Sequence, residues 1–327
     1  MTATMPTTGS TSDPTDPASA SATRPRSAAD RRLRQLNAVS ITRAIDPAVA
    51  PELAGHLTEH QVLPDELLSI AGLDLELTDE QRAVLSREEV ASCLLGGIEF
   101  EAVLIAGFGL ELATRADLRD PRATYALHEI GEETRHSRIF IELVQELDPT
   151  AQNPMQRRPF TWIQRAAARF IIRHPATFYT LVLGGEEIPD LLQQRASEHP
   201  DTDPHLAAVN RYHRLEEARH LAFARLRLAE LWPDATAIDR WGVRRLAPLV
   251  IGGMWDLLVH PGVYETIGLP GWGTWRAVRR DAARAELRHR ACRPVLEAML
   301  DAGVFRPGRI PGTWRRLCGE DRHGNAR

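Results

Sequence analysis

The sequence predicts an all-α fold, a bundle of long helices. Between residues 78 and 232 apolar residues recur at helical spacing in long runs, prolines stand at the starts of several runs, and no stretch alternates at the period of a strand. Long helices with short connections argue a bundle. The 327 residues, 43% hydrophobic and 26% charged, have the balance of a globular chain and suffice to bury a full core. No break in composition calls for a second domain. The expected division is a tail over 1–30, a single helical domain over 31–315, and a loose C-terminal tail over 316–327.

The first 30 residues, rich in Thr, Ser, Pro and Ala, cannot bury enough surface to order themselves and lack the apolar core of a signal peptide. "RRLRQLNAVS" (31–40) predicts a short helix, followed by Pro-punctuated loops to Pro64. The first long helix spans 78–116, with Thr78 as N-cap and Gln81 completing a capping box. The second spans 120–147 and the fifth 203–232, each with proline at its first turn. Between them lie 160–173 and 175–199; Pro189 predicts a kink or local irregularity in the latter. Shorter segments follow at 238–260 and 276–305, separated by a Gly/Pro/Trp loop over 261–275. The loop tryptophans read as packing or as a wall of a substrate cavity.

A net charge of -4 excludes an overall basic field for nucleic acid. All 40 basic residues are arginine, a sign of genomic base composition rather than of function. Cys93, Cys292 and Cys318 are odd in number and far apart, which argues against a disulfide framework or a thiolate zinc site and for a reducing, cytoplasmic setting. The apolar run at Leu246 is about half of the ~20 residues a membrane span needs, so no membrane association is expected.

The chemistry sits on the long helices. His213, Glu217 and His220 fall on one stripe with Val209 and Ala224. Glu133 and His136 share a stripe with Ala126, Ile130, Phe140 and Leu143. Buried charges need partners or a metal. Glu-x-x-His on two helices, with one glutamate from each of two others, is the ligand set of di-iron and di-manganese carboxylate bundles. "IEFEAVL" offers Glu101, among Leu94, Ile98, Ile105 and Phe108, or Glu99 on a smaller apolar face; Glu101 is favoured. "GGEEIPD" offers Glu186 or Glu187; Glu186, following Tyr179, Val182 and Leu183, is favoured. Glu216 lies off the stripe and reads as peripheral, as do Arg214 and Arg219. Each motif alone also reads as a solvated helix face, with Arg135, Arg138, Arg214, Arg219 or Arg225 as surface partners. Their conjunction on four helices favours the metal reading.

On "IEFEAVL", "TYALHEIGEETRHSRIF", "GGEEIPD" and "YHRLEEARHLAFAR", the chain resembles the di-iron N-oxygenases of the p-aminobenzoate N-oxygenase type, over roughly residues 86–232 with a weaker echo in "LVHPGVYETIGLPG". The resemblance implies a ferritin-like bundle and a third histidine, His213, a turn before the second Glu-x-x-His. It implies two iron ions held by Glu101, Glu133, His136, Glu186, His213, Glu217 and His220. Glu133 and Glu217 would bridge, Glu101 and His136 would serve one iron, and Glu186, His213 and His220 the other. It further implies dioxygen-dependent oxidation of an aryl or related amine to a hydroxylamine, nitroso or nitro product in secondary metabolism such as antibiotic biosynthesis, electrons from an external partner, and a homodimer. A hydroxylase or desaturase on the same scaffold, and a non-catalytic ferritin-like metal-binding protein, are the alternatives.

Overall fold

The computed structural model describes residues 28–320, which are helical with no strand among them. The expected N-terminal tail lies almost wholly outside the described residues. Helix α1 (Ala28–Thr42) leads through loops to α2 (Asp79–Thr114), α3 (Pro121–Leu147), α4 (Phe160–Ile171), α5 (Pro175–Glu198) and α6 (Pro204–Leu231). The ends follow local chemistry. Thr78 accepts from the Gln81 amide while the Gln81 side chain accepts from the Thr78 amide, the expected capping box. Asp120 and Asp203 cap α3 and α6 ahead of prolines 121 and 204.

Helices α2 and α3 form one antiparallel hairpin, and α5 and α6 a second. A long connection carrying α4 joins them, as in bundles with a crossover. The α5–α6 register is fixed by Gln193 with His213, Asp190 with Arg214, and Glu187 with Arg225. Two glycines let α5 sit close to its neighbours. A Cβ on Gly185 would lie 2.0 Å from the Phe100 ring of α2, and one on Gly184 would lie 2.5 Å from Ile251. Helix α5 continues unbroken through Pro189, so the expected irregularity does not end it; Pro189 lacks the N–H that would bond the Gly185 carbonyl.

The C-terminal third closes one side of the bundle. Helix α7 (Ala237–Trp241) passes through a π-helical turn, Gly242–Leu246, into α8 (Ala247–Leu257), with α9 (Pro261–Glu265), α10 (Gly271–Arg280), α11 (Ala282–Asp301) and α12 (Gly312–Cys318) beyond. The stretch 261–275 is therefore not a plain loop. Asp281, capping α11, divides the expected 276–305 segment. Residues 316–320, expected as tail, belong to the fold: Leu317 and Cys318 are buried in α12, and Glu320 is buried against Arg293. Residues 321–327 lie outside the described residues.

Two stretches, Asp79–Thr114 and Ala237–Glu265, have the length and apolarity of a membrane span. Neither was expected: Glu99 and Glu101 break up the apolar run of the first, and the uninterrupted run at Leu246 in the second is only about half of a span. Both also fit the core helices of a bundle: α2 packs on α3, turning Glu88, Glu89 and Glu101 inward, and α8 packs on α5.

Candidate metal centre

Two buried groups of side chains meet between the hairpins. Glu101 from α2, His136 from α3 and His213 from α6 offer ligand atoms within 4.8 Å of one another; so do Glu133 from α3 with Glu217 and His220 from α6. Two carboxylates join the groups. Glu217 Oε1 lies 3.2 Å from His136 Nδ1 and 3.5 Å from His213 Nε2, while its Oε2 lies 2.9 Å from His220 Nδ1. Glu133 likewise turns Oε2 to His136 Nδ1 at 3.4 Å and Oε1 to His220 Nδ1 at 3.2 Å. Glu133 Oε1 and Glu217 Oε1 are buried and accept no hydrogen bond despite these close nitrogens. Their lone pairs face shared space, the arrangement a cation would complete.

Glu186 is buried beside this space and contacts Glu217. Its neighbour Glu187 instead pairs with Arg225. Glu99 is exposed, whereas Glu101 accepts from Ser137 and lies 3.7 Å from His213. All seven expected positions thus converge. The grouping differs from expectation at one: His213 sits with Glu101 and His136 rather than with Glu186 and His220, its ring 4.4 Å from that of His136.

Each imidazole is anchored at its other nitrogen. His136 Nε2 meets Glu216 at 3.0 Å, His220 Nε2 meets Glu132 at 2.7 Å, and His213 Nδ1 meets Gln193 at 2.9 Å. Such outer bonds fix the tautomer and orientation of a ligating imidazole. Glu216, expected as peripheral, is 1% exposed and also accepts from Tyr212 at 2.9 Å. Arg219, expected on the same outer face, is buried and donates to Glu132 at 2.9 Å and Glu216 at 3.3 Å. The anchors cross over: Glu132 of α3 holds a histidine of α6, and Glu216 of α6 holds one of α3. The sequence carries the signal as a repeat, E-E-x-R-H at 132–136 and again at 216–220. Glu129, one turn before Glu133, was also missed; it is fully buried and neither oxygen has a partner.

The electrostatics follow from burial and pairing. Burial alone would push the imidazoles of His136 and His220 down; the surrounding carboxylates outweigh it and hold both well above the usual histidine range. Burial would raise Glu217, but the His220 and His213 charges and the bonds to His136 and His220 hold it well below the carboxylate range. Glu216, against the same opposing burial, is held at about 2 by its bond to His136. Glu186 and Glu129 are raised well above the carboxylate range, by burial first and then by neighbouring carboxylates.

Glu101, Glu186 and His213 open onto a cavity of about 150 Å³ walled by apolar side chains, among them Leu94, Phe100, Phe140 and Leu192. Arg195 and Arg284 stand elsewhere on its wall. The tryptophans of 261–275 do not reach it.

A family model described as p-aminobenzoate N-oxygenase AurF matches residues 26–303. The chain belongs to this family. The match extends well beyond 86–232, taking in the C-terminal helices that close the bundle. Two uncharacterized proteins of Mycobacterium tuberculosis strains and one of Mycobacterium bovis are each 28% identical over 230 residues, 68% of this chain. The aligned region spans 65% of the length of those relatives. No solved structure matches. The fold and the Glu/His groups accord with membership in this di-iron family.

Proposed function

We propose that the chain is a di-iron, dioxygen-dependent N-oxygenase acting on an amine held in the cavity. The carrying observation is the pair of Glu/His groups joined by Glu133 and Glu217 and opening onto an apolar cavity through Glu101, Glu186 and His213. Carboxylate and imidazole donors together suit ferrous iron. Glu101, His136 and His213 would hold one ion, Glu133, Glu217 and His220 the other, and Glu186 would complete the set. The ions supply the reduction of dioxygen when bound. The balance of a first oxidation is R–NH₂ + O₂ + 2 electrons + 2 protons giving R–NHOH + H₂O, so an external reductant is required. The chain's own residues do the rest. Glu132, Glu216 and Gln193 fix the histidine rings, the apolar wall excludes bulk water, and the cavity orients the nitrogen toward the ions.

The test is iron-loaded protein with a chemical reductant, an amine panel and ¹⁸O₂. The expected result is two irons per chain and labelled oxygen on nitrogen. Labelled oxygen on carbon would replace this reading with a C-hydroxylase. Iron bound without consumption of dioxygen would replace it with a non-catalytic metal-binding protein.

A further inference from the structure

The cavity wall carries few polar groups, and most of them are engaged with the protein. Glu89 accepts from the amide and hydroxyl of Ser69, and the Arg284 charge acts on that same carboxylate. Glu101 accepts from Ser137, and the Gln193 side-chain oxygen faces His213 Nδ1 at 2.9 Å. Asn210 stands apart. It lines the cavity from α6 and is only 7% exposed, yet its carboxamide makes no hydrogen bond to any group among the described residues. A buried amide without partners is costly, so such a group calls for something else to complete it.

Its place on the helix indicates what that is. Helix α6 gives three residues to the wall, Leu206, Asn210 and His213. They lie on one face at helical spacing, with His213 at the candidate metal centre, so Asn210 stands one turn outward from a candidate ligand. A molecule with its nitrogen at the ions therefore passes Asn210 inside the cavity. A carboxamide offers two N–H donors and a carbonyl acceptor, and no net charge. Much of the wall beside it is apolar, where a bare charge is costly to bury and a neutral polar group can be satisfied by one such amide. We propose that Asn210 is a specificity-determining residue, which hydrogen-bonds an uncharged polar substituent on the amine substrate: a carboxamide, a carbonyl or a hydroxyl. This inference narrows the substrate class of the proposed oxygenase and rests on that reading for the placement of the nitrogen.

Binding to iron-loaded protein without dioxygen is measured by calorimetry for three anilines of nearly one shape. These are 4-aminobenzamide, 4-isopropylaniline and 4-aminobenzoate, each repeated as its 3-substituted isomer. In the series that binds better, the carboxamide is expected to bind about ten-fold tighter than its isopropyl counterpart, and tighter than the carboxylate. In Asn210→Leu, which is similar in volume and cannot hydrogen-bond, the preference for carboxamide over isopropyl falls to within about two-fold or reverses. Iron content and melting midpoint stay unchanged. Asn210→Ala, which adds no bulk, repeats the comparison. A merely structural asparagine would weaken all three ligands alike when replaced, and that result overturns the assignment. So do equal affinities for carboxamide and isopropyl in both series, a preference that survives both substitutions, or a carboxylate that binds tightest. Failure of every aniline to bind overturns the oxygenase reading together with it. If the carboxamide preference holds and disappears in the variants, but dioxygen and a reductant then place no oxygen on nitrogen, the oxygenase reading fails and the Asn210 contact stands.

Discussion

Glu216 stands one position before the candidate ligand Glu217, and its carboxylate reaches His136 at 3.0 Å. A stripe drawn at ~100° per residue puts it off the metal-facing line, but α6 is covered by α3 on one side and α5 on the other. The buried arc is therefore wider than a stripe, and a residue to the side meets protein rather than water. Angular position alone identified the ligand candidates and misjudged their supports. The repeated E-E-x-R-H, in which the first glutamate recurs as faithfully as the second, held the missing information. Glu216→Ala is expected to keep the fold and weaken iron binding about 10–100-fold, as loss of an outer anchor does; an anaerobic ferrous titration measures it, and unchanged affinity would show the contact to be incidental. Glu89 makes a pH prediction at the same scale. It is fully buried and raised from 4.5 to about 7, by burial first, against the opposing bonds from Ser69. A carboxyl raised in the folded state contributes its full stability below the unfolded value and loses it as pH rises through the folded value. Between pH 4.5 and about 7 the protein should therefore lose up to about 3 kcal/mol that Glu89→Gln does not lose. Urea denaturation at both pH values, in protein and variant, provides the comparison.

At the scale of elements, the long helices were legible because their ends carry explicit chemistry. Thr78 with Gln81, Asp120 with Pro121 and Asp203 with Pro204 mark three starts. The stretch 261–275 was not legible, since Pro261, Gly271 and the tryptophans resemble turn residues and the helices there are short, held by burial of Val263 and Tyr264 rather than by local preference. The glycines of "GGEE", beside the candidate ligand Glu186, set the approach of α5 to α2 and α8. Glycines that look alike in sequence differ here in sign. Gly185→Ala would drive a methyl into the Phe100 ring at the cavity wall and is expected to cost about 1–3 kcal/mol. Gly96→Ala, on α2 with nothing within 4 Å of the added carbon, is expected to stabilise by about 0.5–1 kcal/mol through helix propensity. Chemical denaturation of the two variants should give opposite shifts. Shifts of the same sign would contradict the close α2–α5 approach.

At the scale of the whole molecule, the bundle is bolted together across its hairpins by charges that pair with one another and are poised for something stronger. Without metal, the carboxylates around His136 and His220 push both imidazoles above their ordinary range, and Glu101 and Glu186 are raised by burial and like charge. Every one of these groups has a folded-state pKa above its ordinary value. Each stabilises the metal-free bundle at low pH, and each loses that contribution as pH rises through its folded value. Ligation needs the same imidazoles neutral and the same carboxyls ionised, so binding metal must release protons and affinity must rise with pH. Ions that bind only the folded state add about 2.7 kcal/mol at a hundred-fold excess over the dissociation constant. The two effects act together: raising the pH weakens the metal-free protein while tightening the ions. The difference in melting midpoint between ferrous-loaded and metal-free protein is therefore expected to widen from pH 6 to pH 8, and calorimetric titrations in buffers of unlike ionisation heat should report net proton release. In Glu217→Ala, which removes a carboxylate joining both groups, the metal-dependent shift should largely vanish at every pH. A shift independent of pH, with no protons released, would mean that the ions bind elsewhere than among these histidines.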